Sequence, residues 1–155
     1  MSEPGETGDS NALRVDFYVL EDSSPSARLK LACRLAEKAY LAAQHVLLWH
    51  DDSQELKVLD ELLWTFADGS FVPHDLAATA VTEAPVVLAT GAFPAGQFDM
   101  IINLSTELPP DLERTRRVAE IIDGDEARRR AGRMRFKAYR ERGLQPASHN
   151  IRAAF

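Results

Sequence analysis

From Arg14 to Leu20 the chain reads RVDFYVL, with Val15, Phe17 and Val19 alternating against Asp16 and Tyr18. A period of two along a short run predicts a β-strand. The rhythm then changes. After Ser23, Ser24 and Pro25, the residues Leu29, Ala32, Cys33, Ala36, Tyr40 and Ala43 recur at helical spacing, and Leu31, Leu35 and Leu41 widen the apolar arc. So broad an arc predicts a helix packed on a sheet and touching a second neighbour. His45 to Trp49, HVLLW, is a continuous apolar run and reads as a buried strand. Asp51, Asp52 and Ser53 follow it as caps for a second helix through Phe66.

Strand, helix, strand, helix in this order is how a right-handed parallel crossover is written in sequence. Past a loop containing Phe71, Val72, Pro73 and His74, two more buried strands are expected at Pro85 to Ala89 and Phe98 to Leu104, joined by the turn TGAFPAG. Asp111 to Ile122 and Glu126 to Arg142 read as two further helices separated at Asp123-Gly124. The fold class is therefore α/β, a three-layer α/β/α arrangement around a small, mostly parallel central sheet. Residues 1–12 lack apolar periodicity and are expected to be a disordered extension. Residues 13–143 form the single domain and 144–155 a C-terminal tail.

Composition narrows the picture. With 155 residues and 45% apolar content, the chain can bury one real core. Its single cysteine, Cys33, excludes an internal disulfide and sits in an apolar helical context, as a small buried hydrophobe would. No apolar run approaches the roughly 18 residues of a membrane span, and the acidic N-terminus is unlike a secretory signal. A soluble, cytoplasmic protein without membrane contact is expected.

Catalytic and cofactor chemistry is not legible. The turn after the first strand, EDSSPS, lacks glycine and adds acids where a pyrophosphate would need bare backbone N–H groups. Gly91 and Gly96 have the spacing of a Walker loop, but Gln97 and Phe98 stand where Lys and Ser or Thr are required. The four histidines, His45, His50, His74 and His149, show no metal-clasp spacing, and Asp51, Asp52, Asp123 and Asp125 are explained by capping and turns. Serines 23, 24 and 26 lack the glycines of a nucleophile elbow. No catalytic residue, no metal and no cofactor is assigned, and a binding protein is favoured over an enzyme.

Charge supplies the functional signal. Arg128 to Arg142, RRRAGRMRFKAYRER, holds eight cations against the single acid Glu141, a net +7 in a chain whose total is −6, so the remainder carries −13. Ala127, Ala131, Met134 and Ala138 recur at helical spacing and are expected to face the domain. Arg129, Arg133, Phe136, Lys137 and Arg140 fall at i, i+4, i+7, i+8 and i+11 and share another face. Guanidinium forks grip carboxylate or phosphate, and a ring among them offers an apolar wall. An acidic peptide with a bulky apolar residue fits this face. A direct single-stranded nucleic-acid-binding module is the alternative, disfavoured because −13 elsewhere repels an extended polyanion. A second candidate surface is WTFADGSFVPH, where Trp64 ends a helix and Phe71, Val72 and Pro73 place large apolar residues in a connection; periodicity weighs a protein interface there evenly against residues that fold back over the sheet edge as core.

Three segments together, FYVL, LDELLWTFADGSFVPHDLA and RMRFKAYRERG, resemble the chi subunit of bacterial DNA polymerase III holoenzyme. The likeness runs from about Arg14 to Gly143, with the same order and similar spacing of elements. It implies a noncatalytic clamp-loader accessory protein with a nucleotide-binding-like fold that binds no nucleotide. It also implies a monomer or heterodimer that ties the clamp loader to single-stranded DNA-binding protein during replication and meets DNA only indirectly. The family grips that protein's acidic C-terminal tail, which ends in an apolar dipeptide; carried onto this sequence, the grip falls on Arg133, Phe136 and Lys137, with Arg129 assisting. Phe136 stands where the family commonly has Tyr, which removes a hydroxyl and keeps the wall. The family's second contact, with the psi subunit or a helicase-like repair protein, falls on Trp64, Phe71, Val72 and Pro73.

Overall fold

The computed structural model describes residues 12–22, 24–76 and 84–152, with only the backbone of Pro25. The expected N-terminal extension through residue 11, the helix-opening Ser23 and the end of the tail, 153–155, lie outside the described residues.

Among the described residues seven strands form one sheet: β1 (Arg14–Leu20), β2 (Val46–Trp49), β3 (His74–Leu76), β4 (Val86–Ala89), β5 (Met100–Asn103), β6 (Arg117–Ile122) and β7 (Ala147–Ile151). Their order across the sheet is β3-β4-β2-β5-β6-β1-β7, and every pairing is parallel. Among the same residues three α-helices cover it: α1 (Pro25–Leu41), α2 (Ser53–Thr65) and α3 (Glu126–Glu141). This is the expected three-layer α/β class, with a sheet that is wholly parallel among the described strands.

Alternation along the strands sorts side chains between the layers. Leu20, Val46, Leu48, Val86, Leu88, Met100, Ile102 and Ile121 pack with the buried faces of α1 and α2 into one large core. On the other face, Val15, Phe17, Val118 and Ile122 pack with Tyr139 of α3, and Phe136 joins them half-buried. Cys33 is fully buried in the first core, and burial pushes its thiol up to about 12, so it behaves as a small apolar residue. Asp52 caps α2 by accepting from the Gln54 and Glu55 N–H groups at 2.9 and 3.4 Å.

Three sequence expectations are corrected. Asp111 to Ile122 is not a helix but a single 3-10 turn, Leu112–Arg114, followed by β6. The loop at Phe71 to His74 delivers the edge strand β3, and the expected tail delivers β7. Finally, α3 is rotated from its expected setting: Ala127 is exposed, Met134 is 67% exposed, and Gly132, Arg135 and Tyr139 face inward instead.

Candidate functional site

The rotation of α3 is explained by one buried carboxylate. Glu120 lies on the α3 face of β6 and is fully buried. It accepts from the Arg135 Nε at 2.9 Å, the Tyr139 hydroxyl at 2.6 Å and the Asn103 Nδ2 at 3.1 and 3.0 Å. Arg135 also donates to the Thr106 carbonyl at 3.1 Å. Burial pushes the Glu120 carboxyl up, and Arg135, Tyr139 and Asn103 pull against that rise. Burial together with Glu120 drives the Tyr139 hydroxyl far above its ordinary value, so it stays protonated and donating.

A second anchor sits at the start of α3. Asp123 is fully buried and receives both the Nε and the Nη2 of Arg128, at 2.9 and 2.8 Å. Burial would raise its carboxyl, yet the Arg128 bonds and the Asp125 backbone N–H bring it below the usual carboxylate range. Asp125 caps the helix by accepting from the Arg128 N–H at 2.9 Å. Two of the eight cations are thereby consumed internally.

Of the remaining six, Arg129, Arg133, Lys137 and Arg140 line one surface. A hollow of about 190 Å³ opens between α3 and the sheet, lined by Phe17, Val19, Ile122, Arg129, Gly132, Arg133, Phe136 and Ser148. A shallower neighbouring depression is lined by Arg133, Phe136, Lys137, Arg140 and Glu141. Arg133 and Phe136 belong to both, so the structure brings together all four residues singled out on this helix. Arg129 donates to the Asp123 carbonyl at 3.2 Å, which steadies it at the rim. Among the described residues no hydrogen bond or ion pair engages the Arg133, Lys137 or Arg140 side chains. The Phe136 ring is held against Phe17, centroids 5.1 Å apart. Free cations beside a fixed ring over an apolar floor can receive an anionic group attached to a bulky apolar one.

Gly132 makes this floor possible. A Cβ there would lie 2.1 Å from the Ile122 Cδ1. Gly132→Ala should therefore displace Ile122, whose side chain also lines the hollow. Overpacking of about 1–3 kcal/mol, less roughly 1 kcal/mol of regained helix propensity, predicts a loss near 1 kcal/mol in urea unfolding.

The second candidate surface is partly as expected. Trp64, at the end of α2, is 49% exposed and Phe71 is 62% exposed, with ring centroids 5.5 Å apart. Trp64 is backed by the buried His74 ring at 4.4 Å, which is itself held by the Val72 and Asp60 carbonyls at 2.6 and 3.0 Å from its nitrogens. Pro73 is half-buried beside them. Val72 does not join this surface: it is fully buried in the core, so it supports the patch from beneath.

One polar network escaped the sequence reading. At the carboxyl ends of the central strands, the buried Arg28 donates to Glu55 at 2.6 Å and to the Leu104 carbonyl at 3.2 Å, and the His50 Nε2 lies 2.7 Å from the same Glu55 oxygen. Burial would raise Glu55, but the His50 bond and the Arg28 charge lower it. His50 directly follows a strand and Glu55 occupies the first turn of a helix, a juxtaposition that only the crossover creates. Among the described residues no cluster of three or more His, Cys, Asp or Glu side chains could hold a metal ion, and no helix is long and apolar enough to cross a membrane.

Comparison with solved structures finds the fold in a DEAD box protein from the hyperthermophile Methanococcus jannaschii, at a TM-score of 0.60 and 13% identity over 91% of this chain. The chain spans 42% of that structure, and the likeness concerns architecture alone. Among curated sequences, the DNA polymerase III subunit chi of Pseudomonas aeruginosa is 43% identical over 138 residues, which is 89% of this chain and 96% of that protein. Those of Escherichia coli and Haemophilus influenzae are 29% and 26% identical, covering 83% and 90% of this chain and 91% and 99% of theirs. The family model described as DNA polymerase III chi subunit, HolC, matches residues 13–147. The chain belongs to the DNA polymerase III chi subunit family.

Proposed function

We propose that this chain is a noncatalytic accessory subunit of the replicative polymerase, and that its α3 surface binds the acidic C-terminal tail of single-stranded DNA-binding protein to link it to the clamp loader. The observation that carries the reading is the hollow beside α3 with its adjoining depression, where Arg133, shared by both, and Lys137, in the depression, stand unpaired among the described residues next to the Phe136 wall. The terminal carboxylate and upstream aspartates of the tail meet Arg133 and Lys137, Arg129 assists from the rim, and the final aromatic side chain enters between Phe136, Phe17 and Ile122. The more exposed aspartates steer the encounter, so affinity falls as salt rises.

The Trp64 and Phe71 patch is the docking surface for a protein partner, the psi subunit or a helicase-like repair protein. It lies by α2 and β3, whereas the hollow lies by β1 and β7, at the opposite edge of the sheet. Six strand spacings separate the two edges, about 29 Å, so both partners fit at once and the chain serves as a bridge. A single short tail binds weakly, and arrays of tails on coated DNA raise the effective concentration.

Arg133→Ala is expected to weaken a fluorescent tail peptide tenfold or more, since a charge-assisted bond contributes about 1.5–3 kcal/mol. Phe71→Ala should leave peptide affinity unchanged. Equal affinity in wild type and Arg133→Ala refutes the assignment of the tail to α3. Binding of an oligonucleotide as tight as that of the peptide, in a gel-shift at the same salt, favours the nucleic-acid module instead.

A further inference from the structure

Strand β7 closes one side of the hollow through Ser148 and is also the last strand of the sheet. It pairs in parallel with β1 from Asp16↔Ala147 to Leu20↔Ile151, and among the described residues no strand lies on its other side. The Glu21 N–H donates to the Ile151 carbonyl at 3.2 Å, which fixes the alternation. Ala147, His149 and Ile151 turn their backbone groups toward β1, while Ser148 and Asn150 turn theirs outward.

The charge along this edge differs from the rest of the chain. No Asp or Glu occurs between Gly143 and Arg152, although the chain outside the basic helix is strongly acidic. Arg129 and Arg133 stand where the edge meets the hollow, and Arg152, with a side chain 82% exposed and its Nε 3.7 Å from a Glu21 carboxylate oxygen for which an acidic peptide must compete, stands just past its far end. The edge from Ser148 to Arg152 spans about 13 Å, room for four extended residues. His149 ties the strand to β1 through side chains as well as backbone, with its Nε2 2.9 Å from Asp16 and its ring stacked on Tyr18 at 5.1 Å.

We propose that an acidic peptide seated by its last residue in the hollow continues along β7 as an eighth strand, pairing its backbone with the outward N–H and C=O groups of Ser148 and Asn150. The inference rests on the tail reading of the hollow and adds a second, main-chain mode of recognition to it. Aspartates at alternate positions then project from the two faces of the added strand, one set toward Arg129 and Arg133, and Arg152 meets the upstream end. Main-chain pairing supplies affinity without demanding a fixed sequence upstream of the terminal residues.

The test uses the full chain and synthetic peptides: a ten-residue aspartate-rich peptide ending in phenylalanine, its last four residues alone, and two ten-residue versions N-methylated on alternate sets of backbone amides. The long peptide should bind about fivefold or more tighter than the short one. Methylating one alternate set should abolish that gain, and methylating the other should leave it. Asn150→Pro, which removes an outward N–H, should bind both lengths with the affinity of the short peptide. Should Asn150→Pro fail to fold, the methylated pair decides alone. A gain that survives both methylations, or equal binding of the two lengths, overturns the added strand while leaving the hollow assigned. Failure of even the short peptide to bind wild type overturns the reading of the hollow itself. A wild-type dimer in sedimentation that Asn150→Pro splits gives the edge to a second copy and overturns the proposal.

Discussion

Glu120→Ala is expected to cost about 3–5 kcal/mol in urea unfolding, because it strands the buried Arg135 guanidinium without its counter-charge. The Tyr139 hydroxyl loses its acceptor in the same stroke. Truncation leaves a void as well as an unpaired cation, so a control that fills the space is needed. The combined variant Glu120→Leu, Arg135→Met and Tyr139→Phe removes both charges and the hydroxyl left without an acceptor, and should recover most of the loss, since apolar replacement of a buried pair is often nearly neutral. Glu120→Leu and Arg135→Met, made singly and together, form the double-mutant cycle that isolates the coupling between them. A single Glu120→Ala loss below 1 kcal/mol would refute the view that this pair holds α3 down. Its functional meaning is rotational. With Arg135 and Tyr139 drawn inward, Arg133, Lys137 and Arg140 must point out, so the buried carboxylate sets which cations a partner meets. The apolar triple variant should therefore keep stability and loosen that setting, visible as weaker tail-peptide binding at near-native unfolding free energy.

The same residue explains the main misreading of the sequence. A strand buried on both faces normally appears as a continuous apolar run. In VAEII the glutamate interrupts it, and Leu112, Ala119 and Ile122 happen to fall near helical spacing. The partners that make Glu120 tolerable, Asn103, Arg135 and Tyr139, come from a different strand and from the following helix, so nothing local announces them. The error over the inward face of α3 has the same source: alanines and a methionine looked like the apolar stripe, while an arginine and a glycine actually face the sheet. Gly132 was the available signal, since a glycine inside a helix marks a close approach. The edge strands HDL and ASHNI carry almost no β-branched residues and were legible only as loop and tail. By contrast, β1, α1, β2 and α2 were clear because alternation, a wide apolar arc and an aspartate cap each point to one element. The shared surface of Arg129, Arg133, Phe136 and Lys137 was also legible. Their spacing fixes their relation to one another whichever way the helix is turned, although the hollow beside them needs β1 and β7 to complete it.

Acid should unfold this chain through its paired carboxylates. Asp16 is almost fully buried; burial would raise it, but the His149 bond and the Arg14 and Arg117 guanidinium groups bring it below the ordinary range. Asp123, Glu55 and Asp51 are lowered against burial in the same way, by Arg128, by His50 with Arg28, and by Thr106 with His50. For such groups the unfolded state takes up protons first, so their contribution is complete above the unfolded value, roughly 4, and is lost as pH falls through the lower folded value. Glu120 has the opposite sign, because its raised carboxyl makes the folded state the better proton acceptor above that point. Four lowered groups against one raised one predict a thermal midpoint that falls as the pH drops below the unfolded carboxylate range, about 4. Asp16→Asn should be less stable than wild type at pH 6, where Arg14, Arg117 and His149 face no anion, and its curve should converge on the wild-type curve as acid protonates Asp16. Parallel curves for the two proteins over that fall in pH would show that the Asp16 carboxylate does not anchor β7 and β6 to β1.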